Sequence, residues 1–308
     1  MKHRVLIFFI LLLCCSVYAQ TNRALLVAVD RYPEHSGWAE IHASNDIRII
    51  TPLLIQNGYK PENIHTLLNK NATKSSILKA LNRIRTQSAP GDYIYIHFSC
   101  HGQSMIDDNG DEPDGLDEAL IPYDALHRFS KGIYEGENHL RDDELEKYLD
   151  RIRKKITATG NLTVLLDACH SGTGTRKEED EYVRGTAYIF GPDNDADNRK
   201  NTDAGKDTMH RAPTITHNRS KNLAPITVFC ACQPDEINYE YRDNNRIFYG
   251  TLSYAFCEIL QTSSAVLTGI QFAEVLQHKI QTLSANRKRK QTPCFETTNE
   301  HKPFHIGR

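Results

Sequence analysis

Two short segments carry residues that could do chemistry together: Ser99-Cys100-His101-Gly102-Gln103 and Asp167-Ala168-Cys169-His170-Ser171-Gly172. Each follows an apolar, strand-like run and passes into a glycine-bearing turn. A thiol and an imidazole presented in this way read as a nucleophile and its proton partner. The imidazole takes the thiol proton and later returns it to a leaving amine. Gly102, beside the imidazole, lets a substrate carbonyl come close. Its backbone N–H and that of Cys169 are candidates for the oxyanion hole.

The elements that must position this pair are legible in the hydrophobic pattern. Near-continuous apolar or β-branched runs occur from Ala24 to Val29, Ile64 to Leu68, Tyr93 to Phe98, Leu162 to Leu166 and Ile226 to Ala231, the pattern of strands buried on both faces. A last strand is expected from Thr292 to Glu296. Between the runs lie helix-period segments: Ile47, Ile50 and Leu54; Ile77, Leu78, Leu81 and Ile84 behind the cap Thr73; and Leu145, Leu149 and Ile152. Two more follow, the second opened by a Thr268/Gln271 capping box. Alternation of strand and helix predicts an α/β fold with a mostly parallel central sheet flanked by helices on both faces. In such a sheet, ligands collect at the carboxyl ends of the strands. Asp30, His101 and Cys169 all fall there.

The chain of 308 residues has 37 basic and 39 acidic residues and a formal charge of −2, which leaves no electrostatic footprint for nucleic acid. Lys2, His3 and Arg4 precede an apolar run from Val5 to Cys15, and Val17-Tyr18-Ala19 supplies a small-residue cleavage site. Residues 1–19 therefore read as a signal peptide and 20–308 as an exported, periplasmic or secreted, product. No stretch is long enough to span a membrane comfortably. Six of the eight cysteines lie beyond the leader; their irregular spacing suggests buried thiols rather than a disulfide framework.

From 173 to 222 the chain is polar and crowded with charge, apart from a short apolar patch from Tyr182 to Phe190. A segment this long reads as a linker separating a larger from a smaller part of the domain. Arg184, Arg199, Lys200, Arg211, Arg219 and Lys221 are expected to be accessible basic sites, so self-cleavage here is an expectation.

The chain resembles the caspase and metacaspase cysteine proteases (peptidase family C14), specifically the bacterial metacaspase-like branch, from about Arg23 to its C-terminus. Ser99-Cys100-His101-Gly102-Gln103 is similar to the family's His-Gly motif and Asp167-Ala168-Cys169-His170-Ser171-Gly172 to its nucleophile motif. Ala28-Val29-Asp30-Arg31-Tyr32, Ser44-Asn45-Asp46, Leu120-Ile121-Pro122-Tyr123-Asp124 and Phe229-Cys230-Ala231-Cys232 followed by Glu236 and Glu240 add ordered support. The resemblance implies a caspase-haemoglobinase fold, His101 as general base, Cys169 as nucleophile, and protein or peptide substrates for a monomeric enzyme with no organic cofactor. A non-catalytic binding module of the same fold and a gingipain- or clostripain-type protease are the competing readings.

Asp167 stands two residues before the nucleophile, where caspases proper carry Gln. A carboxylate there attracts a cation, so cleavage is expected after Arg or Lys. The resemblance places Asp46 in the same pocket; a helix N-cap is its other reading. It also implies activation by calcium near Asp117, Asp142 and Asp143, although the last two equally suit a helix N-terminus. Arg176 and Lys177 stand where a further acidic ligand is expected. Cys100, where the family commonly has glycine, is expected either to oxidise with Cys169 or to fill space. His42, without motif context, reads as solvated surface.

Overall fold

The computed structural model describes residues 20–110, 112, 115–169, 182–192, 220, 222–233, 236–263, 265–285 and 290–307. The leader, His170, Arg176, Lys177 and the basic residues of the 173–222 stretch other than Arg184 lie outside the described residues. In chain order the strands are β1 (Asn22–Ala28), β2 (Ile64–Leu68), β3 (Tyr93–Ser99), β4 (Gly102–Ile106), β5 (Leu116–Leu120), β6 (Leu140–Arg141), β7 (Asn161–Asp167), β8 (Ile226–Cys230), β9 (Glu240–Arg242), β10 (Phe248–Gly250) and β11 (Cys294–Thr297). The helices are α1 (Ala43–Gln56), α2 (Lys74–Gln87), α3 (Asp142–Ile156), α4 (Thr251–Thr262) and α5 (Gly269–Leu283).

Six strands form one sheet in the order β11-β8-β7-β3-β1-β2, parallel throughout except for the antiparallel edge strand β11. Because side chains alternate along a strand, β1 sends Leu25 and Val27 to one core and Ala24, Leu26 and Ala28 to the other. Helices α2 and α3 cover the first face; α1, α4 and α5 cover the second. Burial on both faces is why β1, β3, β7 and β8 read as unbroken apolar runs, whereas β2, expected to be doubly buried, is half-exposed because it lies at the edge of the sheet.

Local signals fix several helix ends. Thr73 accepts from the Ser76 N–H at 3.2 Å, and Thr268 and Gln271 form the expected capping box. Helix α3 carries Asp142, Asp143 and Glu144 in its first turn and Arg153, Lys154 and Lys155 in its last, complementing its dipole. Asp46 is not the N-cap of α1. That helix starts at Ala43, and the side chain of Asp46 is buried within its first turn, while Asp30 accepts the Ser44 N–H from outside. The last strand also begins later than its apolar pattern predicts. Gln291 and Thr292 are diverted from the ladder by hydrogen bonds to Ala231, Asn238 and Glu236.

The connection β1-α1-β2 leads outward, and the chain then returns past β1 to place β3 on its other side. This reversal opens a crevice at the carboxyl ends of β1 and β3. Two smaller sheets frame it, β4-β5-β6 leaving the end of β3 and the hairpin β9-β10 preceding α4. Among the described residues, no helix is long and apolar enough to cross a membrane.

Candidate active site

Parallel pairing of β3 with β7 sets Ser99 opposite Asp167, so His101 and Cys169 leave neighbouring strand ends two residues further on. The backbone of His101 is fixed on both sides: its N–H donates to the Tyr32 hydroxyl at 3.1 Å, and its carbonyl accepts from the Ile121 N–H at 3.0 Å. Its ring stacks on Trp38 with centroids 4.9 Å apart. Nε2 lies 2.9 Å from the Ala39 carbonyl, while Nδ1 is buried without a hydrogen-bond partner. A proton on Nε2 satisfies that carbonyl and leaves Nδ1 as the free base. Burial pushes the imidazole down to about 4, so the ring is neutral and able to accept a proton at pH 7.

Cys169 is buried, and its thiol donates to the Glu236 carbonyl at 2.9 Å. The thiol beside it is Cys232, whose Sγ donates to Cys169 Sγ at 3.2 Å. Cys100, the neighbour expected from sequence, instead packs in the core facing α2 and α3, where burial pushes its thiol up to about 12. Cys100 therefore fills space. Cys232 is held well above the ordinary thiol range by its bond to Cys169 and by burial, so it stays a donor.

The cleft is occupied by the chain itself. Residues 182–192 are not an exposed linker at this point, and Arg184 is fully buried rather than accessible. Its carbonyl oxygen accepts from the Cys169 N–H at 2.9 Å and from the Gly102 N–H at 3.3 Å. Both donors expected for an oxyanion hole thus converge on one carbonyl. Its guanidinium enters a pocket with three carboxylates: Asp46 at 2.7 Å, Glu240 at 2.9 Å and Asp167 at 3.5 Å. None of these four side chains is exposed.

Each carboxylate is oriented by groups behind it. Asp46 accepts from the Ser99 hydroxyl and the Gly250 N–H. Asp167 accepts from the N–H and hydroxyl of Ser253 and from Asn238, which is itself held by Gln291. Glu240 takes the Nε and Nη2 protons of the guanidinium on one oxygen and pairs with His42 through the other. Burial pushes Asp46 up to about 6 against the pull of Arg184. Glu240 is lowered instead, because Arg184 and His42 outweigh its burial.

The caspase domain family model matches residues 21–305. The chain belongs to the caspase domain family. Metacaspase-2 of Arabidopsis thaliana is 35% identical over 136 residues, 42% of this chain and 30% of the relative. Metacaspase-1A of Neurospora crassa is 30% identical over 160 residues, 49% of this chain and 32% of the relative. Metacaspase-1 of Schizosaccharomyces pombe is 28% identical over 245 residues, 70% and 55% of the two chains. The chain thus spans about a third of the length of the first of these curated relatives it matches, such as the Neurospora protein. A crystal structure of a Geobacter sulfurreducens protein superposes with a TM-score of 0.60 at 21% identity, covering 94% of this chain and 100% of that one, which shows the shared fold.

Within this caspase-domain chain, the structure brings Asp46, Asp167, Gly102 and Cys169 around one residue, Arg184. Sequence reasoning missed Gly250, Ser253, Asn238 and the Ala39 carbonyl, and read His42 as solvated surface. His42 in fact stacks on Phe248 and pairs with the buried Glu240. Only the Glu240 position carried a signal, through its place in the family pattern.

The acidic residues after β4 gather differently from the expected trio. Carboxylate oxygens of Asp107, Asp108 and Asp117 lie within 4.8 Å of one another. Asp143, at the start of α3, accepts from Asn109 in the same loop, and burial pushes neighbouring Asp142 up to about 7. Arg141 pairs with Asp117 and lies 3.4 Å from Asp108. These all-oxygen donors fit a hard cation in kind, with Arg141 as its competitor.

Proposed function

We propose that this chain is a cysteine endopeptidase that hydrolyses peptide bonds after Arg or Lys, with Cys169 as nucleophile and His101 as general base. One observation carries the reading: a single arginine has its carbonyl on the Gly102 and Cys169 amides while its guanidinium sits among Asp46, Asp167 and Glu240. An acidic side chain would meet three carboxylates there, and a neutral one would leave them unpaired.

In this mechanism His101 Nδ1 takes the Cys169 proton and the sulfur attacks the carbonyl carbon. The two amides stabilise the oxyanion, and collapse breaks the C–N bond as His101 protonates the amine. Water then hydrolyses the thioester. The Ala39 carbonyl stabilises the transient imidazolium through Nε2. Self-processing within 173–222 and export after cleavage near Ala19 belong to the same reading. Calcium, as an activator, would be held by Asp117 with Asp107, Asp108, Asp142 and Asp143. Bound there, it would supply charge neutralisation away from the reacting bond, with Arg141 as the competing cation at Asp117.

Matched peptides ending in Arg, Lys or Asp, assayed with calcium and with chelator, test this reading. Arginyl turnover is expected to exceed lysyl, because the contacts of Glu240 with Nε and Nη2 suit a guanidinium and not a point-like ammonium. Turnover of the Asp peptide alone would overturn the pocket assignment, and unchanged activity in chelator would overturn the calcium role. Gly250→Ala gives a further check. A Cβ at Gly250 would overlap the Asp167 carboxylate and the guanidinium, so KM for the arginyl peptide is expected to rise about tenfold.

A further inference from the structure

The segment that fills the cleft is seated on both sides of Arg184 by more than the acidic pocket. Before it, the chain pairs antiparallel with the stretch entering β9: the Arg184 N–H donates to the Asn238 carbonyl, and the Glu240 N–H donates to the Tyr182 carbonyl, both at 3.0 Å. The Tyr182 ring meets His42 edge-on at 4.4 Å and Phe248 at 4.8 Å. After it, the Thr186 hydroxyl lies 2.9 Å from His127 Nε2, and Gln103 Nε2 donates to the Tyr188 carbonyl at 2.9 Å. Phe190 then joins Ser104 and Ile106 of β4 by two backbone hydrogen bonds and is buried against Tyr134 and Phe129.

We propose that Tyr182 to Tyr188 is held as the enzyme's own first substrate, that the bond cut is Arg184–Gly185, and that the same seats select external peptides with an aromatic residue two positions before the arginine and a hydroxyl residue two positions after it. This inference rests on the peptidase reading above and names its substrate class. An extended strand paired through its backbone, with alternate side chains entering pockets, is how peptides are read when they are added to a sheet edge. Tyr182 and Arg184 occupy pockets, while Val183 between them forms the bridge to Tyr239. Across the cleft the chain has a bound peptide's backbone pairing before Gly185, with Asn238 and Glu240, and side-chain seats after it, from His127 and Gln103.

The chemical step balances within the chain. Cys169 gives up its hydrogen bond to Glu236, its proton passes to His101, and the C–S bond to the Arg184 carbonyl carbon forms as the bond to the Gly185 nitrogen breaks. The proton leaves on the new Gly185 amine. One water then releases the Arg184 carboxylate and restores the thiol. Until that cut, the acidic pocket is filled from within, so the intact chain is a zymogen.

Full-length protein and a Cys169→Ala control, followed over time by gel and mass spectrometry, test the cut. The downstream fragment is expected to begin Gly185-Thr186-Ala187, to be missing in the control, and to appear in step with a lag in arginyl-peptide turnover. Arg184→Ala strips the cation from three buried carboxylates and so risks the fold. Gly185→Pro keeps Arg184 and is expected to leave the chain uncut at this bond with an unchanged thermal melt. For the flanking seats, Tyr-Val-Arg-Gly-Thr is expected to be turned over up to about tenfold faster than Ala-Val-Arg-Gly-Thr, the worth of one half-buried aromatic packed on His42 and Phe248. Phe248→Ala should narrow that ratio. A fragment starting elsewhere, or an uncut chain that still hydrolyses arginyl peptides, overturns the assigned bond, and equal turnover of the two peptides overturns the flanking seats. Failure to hydrolyse any arginyl peptide would instead overturn the peptidase reading itself.

Discussion

Cys169→Ala is expected to lower kcat on an arginyl peptide by at least about 10⁴-fold, His101→Ala by a similar factor, and the double variant by no more than either alone. In the proposed mechanism the two groups act as a unit, since a thiol without its base and a base without its thiol both forfeit covalent catalysis. The structure makes the expectation sharp for His101 because Nε2 is committed to the Ala39 carbonyl and Nδ1 has no partner in a buried setting. Among the described residues, no second imidazole has this arrangement beside the two oxyanion amides. His127 is engaged with Thr186, and His42 with Glu240. Initial rates for the three variants, each with an unchanged thermal melt, check the prediction. Multiplicative losses in the double variant would mean that the two residues do not share a step.

Asp46→Asn should lower kcat/KM for an arginyl peptide by about 10²-fold or more, the cost of removing one partner from a buried, hydrogen-bonded charge pair. The neutral amide keeps most of the shape but cannot balance the guanidinium, and its NH₂ would meet the Ser99 hydroxyl or the Gly250 N–H that the carboxylate now accepts from. The pH profile separates this role from a merely structural one. With a guanidinium in the pocket, burial holds Asp46 at about 6, and withdrawing the cation removes the pull that opposes burial. Binding of a basic peptide is therefore expected to weaken as pH falls toward about 6, because the empty pocket lets Asp46 take up its proton above that value. His101, pushed down by burial to about 4, stays neutral over that range. The acid limb of kcat/KM thus belongs to Asp46, and Asp46→Asn should flatten it. Persistence of the limb in that variant would assign it to another group. The sign for stability is opposite to that of an ordinary surface carboxylate. Because the folded state binds the Asp46 proton more tightly than the unfolded chain does, this residue's contribution is fully present below the unfolded value near 4 and is lost as pH rises through about 6.

The strands and helices were legible because each obeys a local rule: doubly buried strands read as apolar runs, and Thr73, Thr268 and Gln271 mark helix starts by side-chain chemistry that acts within one turn. The edges of that rule show where it fails. β11 begins at Cys294 rather than at Thr292, because Gln291 and Thr292 spend their hydrogen bonds on the loop that carries Glu236 and Asn238. Asp46 satisfied two local readings equally, a cap and a pocket residue. The start of α1 at Ala43 removed the first, since a residue inside the opening turn cannot also precede it.

The sequence by itself determined the α/β alternation, the strand ends that carry His101 and Cys169, and the carboxylate of Asp167 two residues before Cys169. These are properties of short segments, set by periodicity and by residue type at fixed spacing. Only the tertiary structure decided that Glu240, Ser253, Asn238 and Gly250 complete the acidic pocket, that Cys232 rather than Cys100 faces Cys169, and that Arg184 lies buried in the cleft instead of exposed in a polar linker. Arg184 is 138 residues from Asp46 and 56 from Glu240 along the chain. A polar, charged stretch read locally belongs in water. Three buried carboxylates, assembled from separate elements by the sheet's topology, supply the attraction that makes burying one of its arginines favourable.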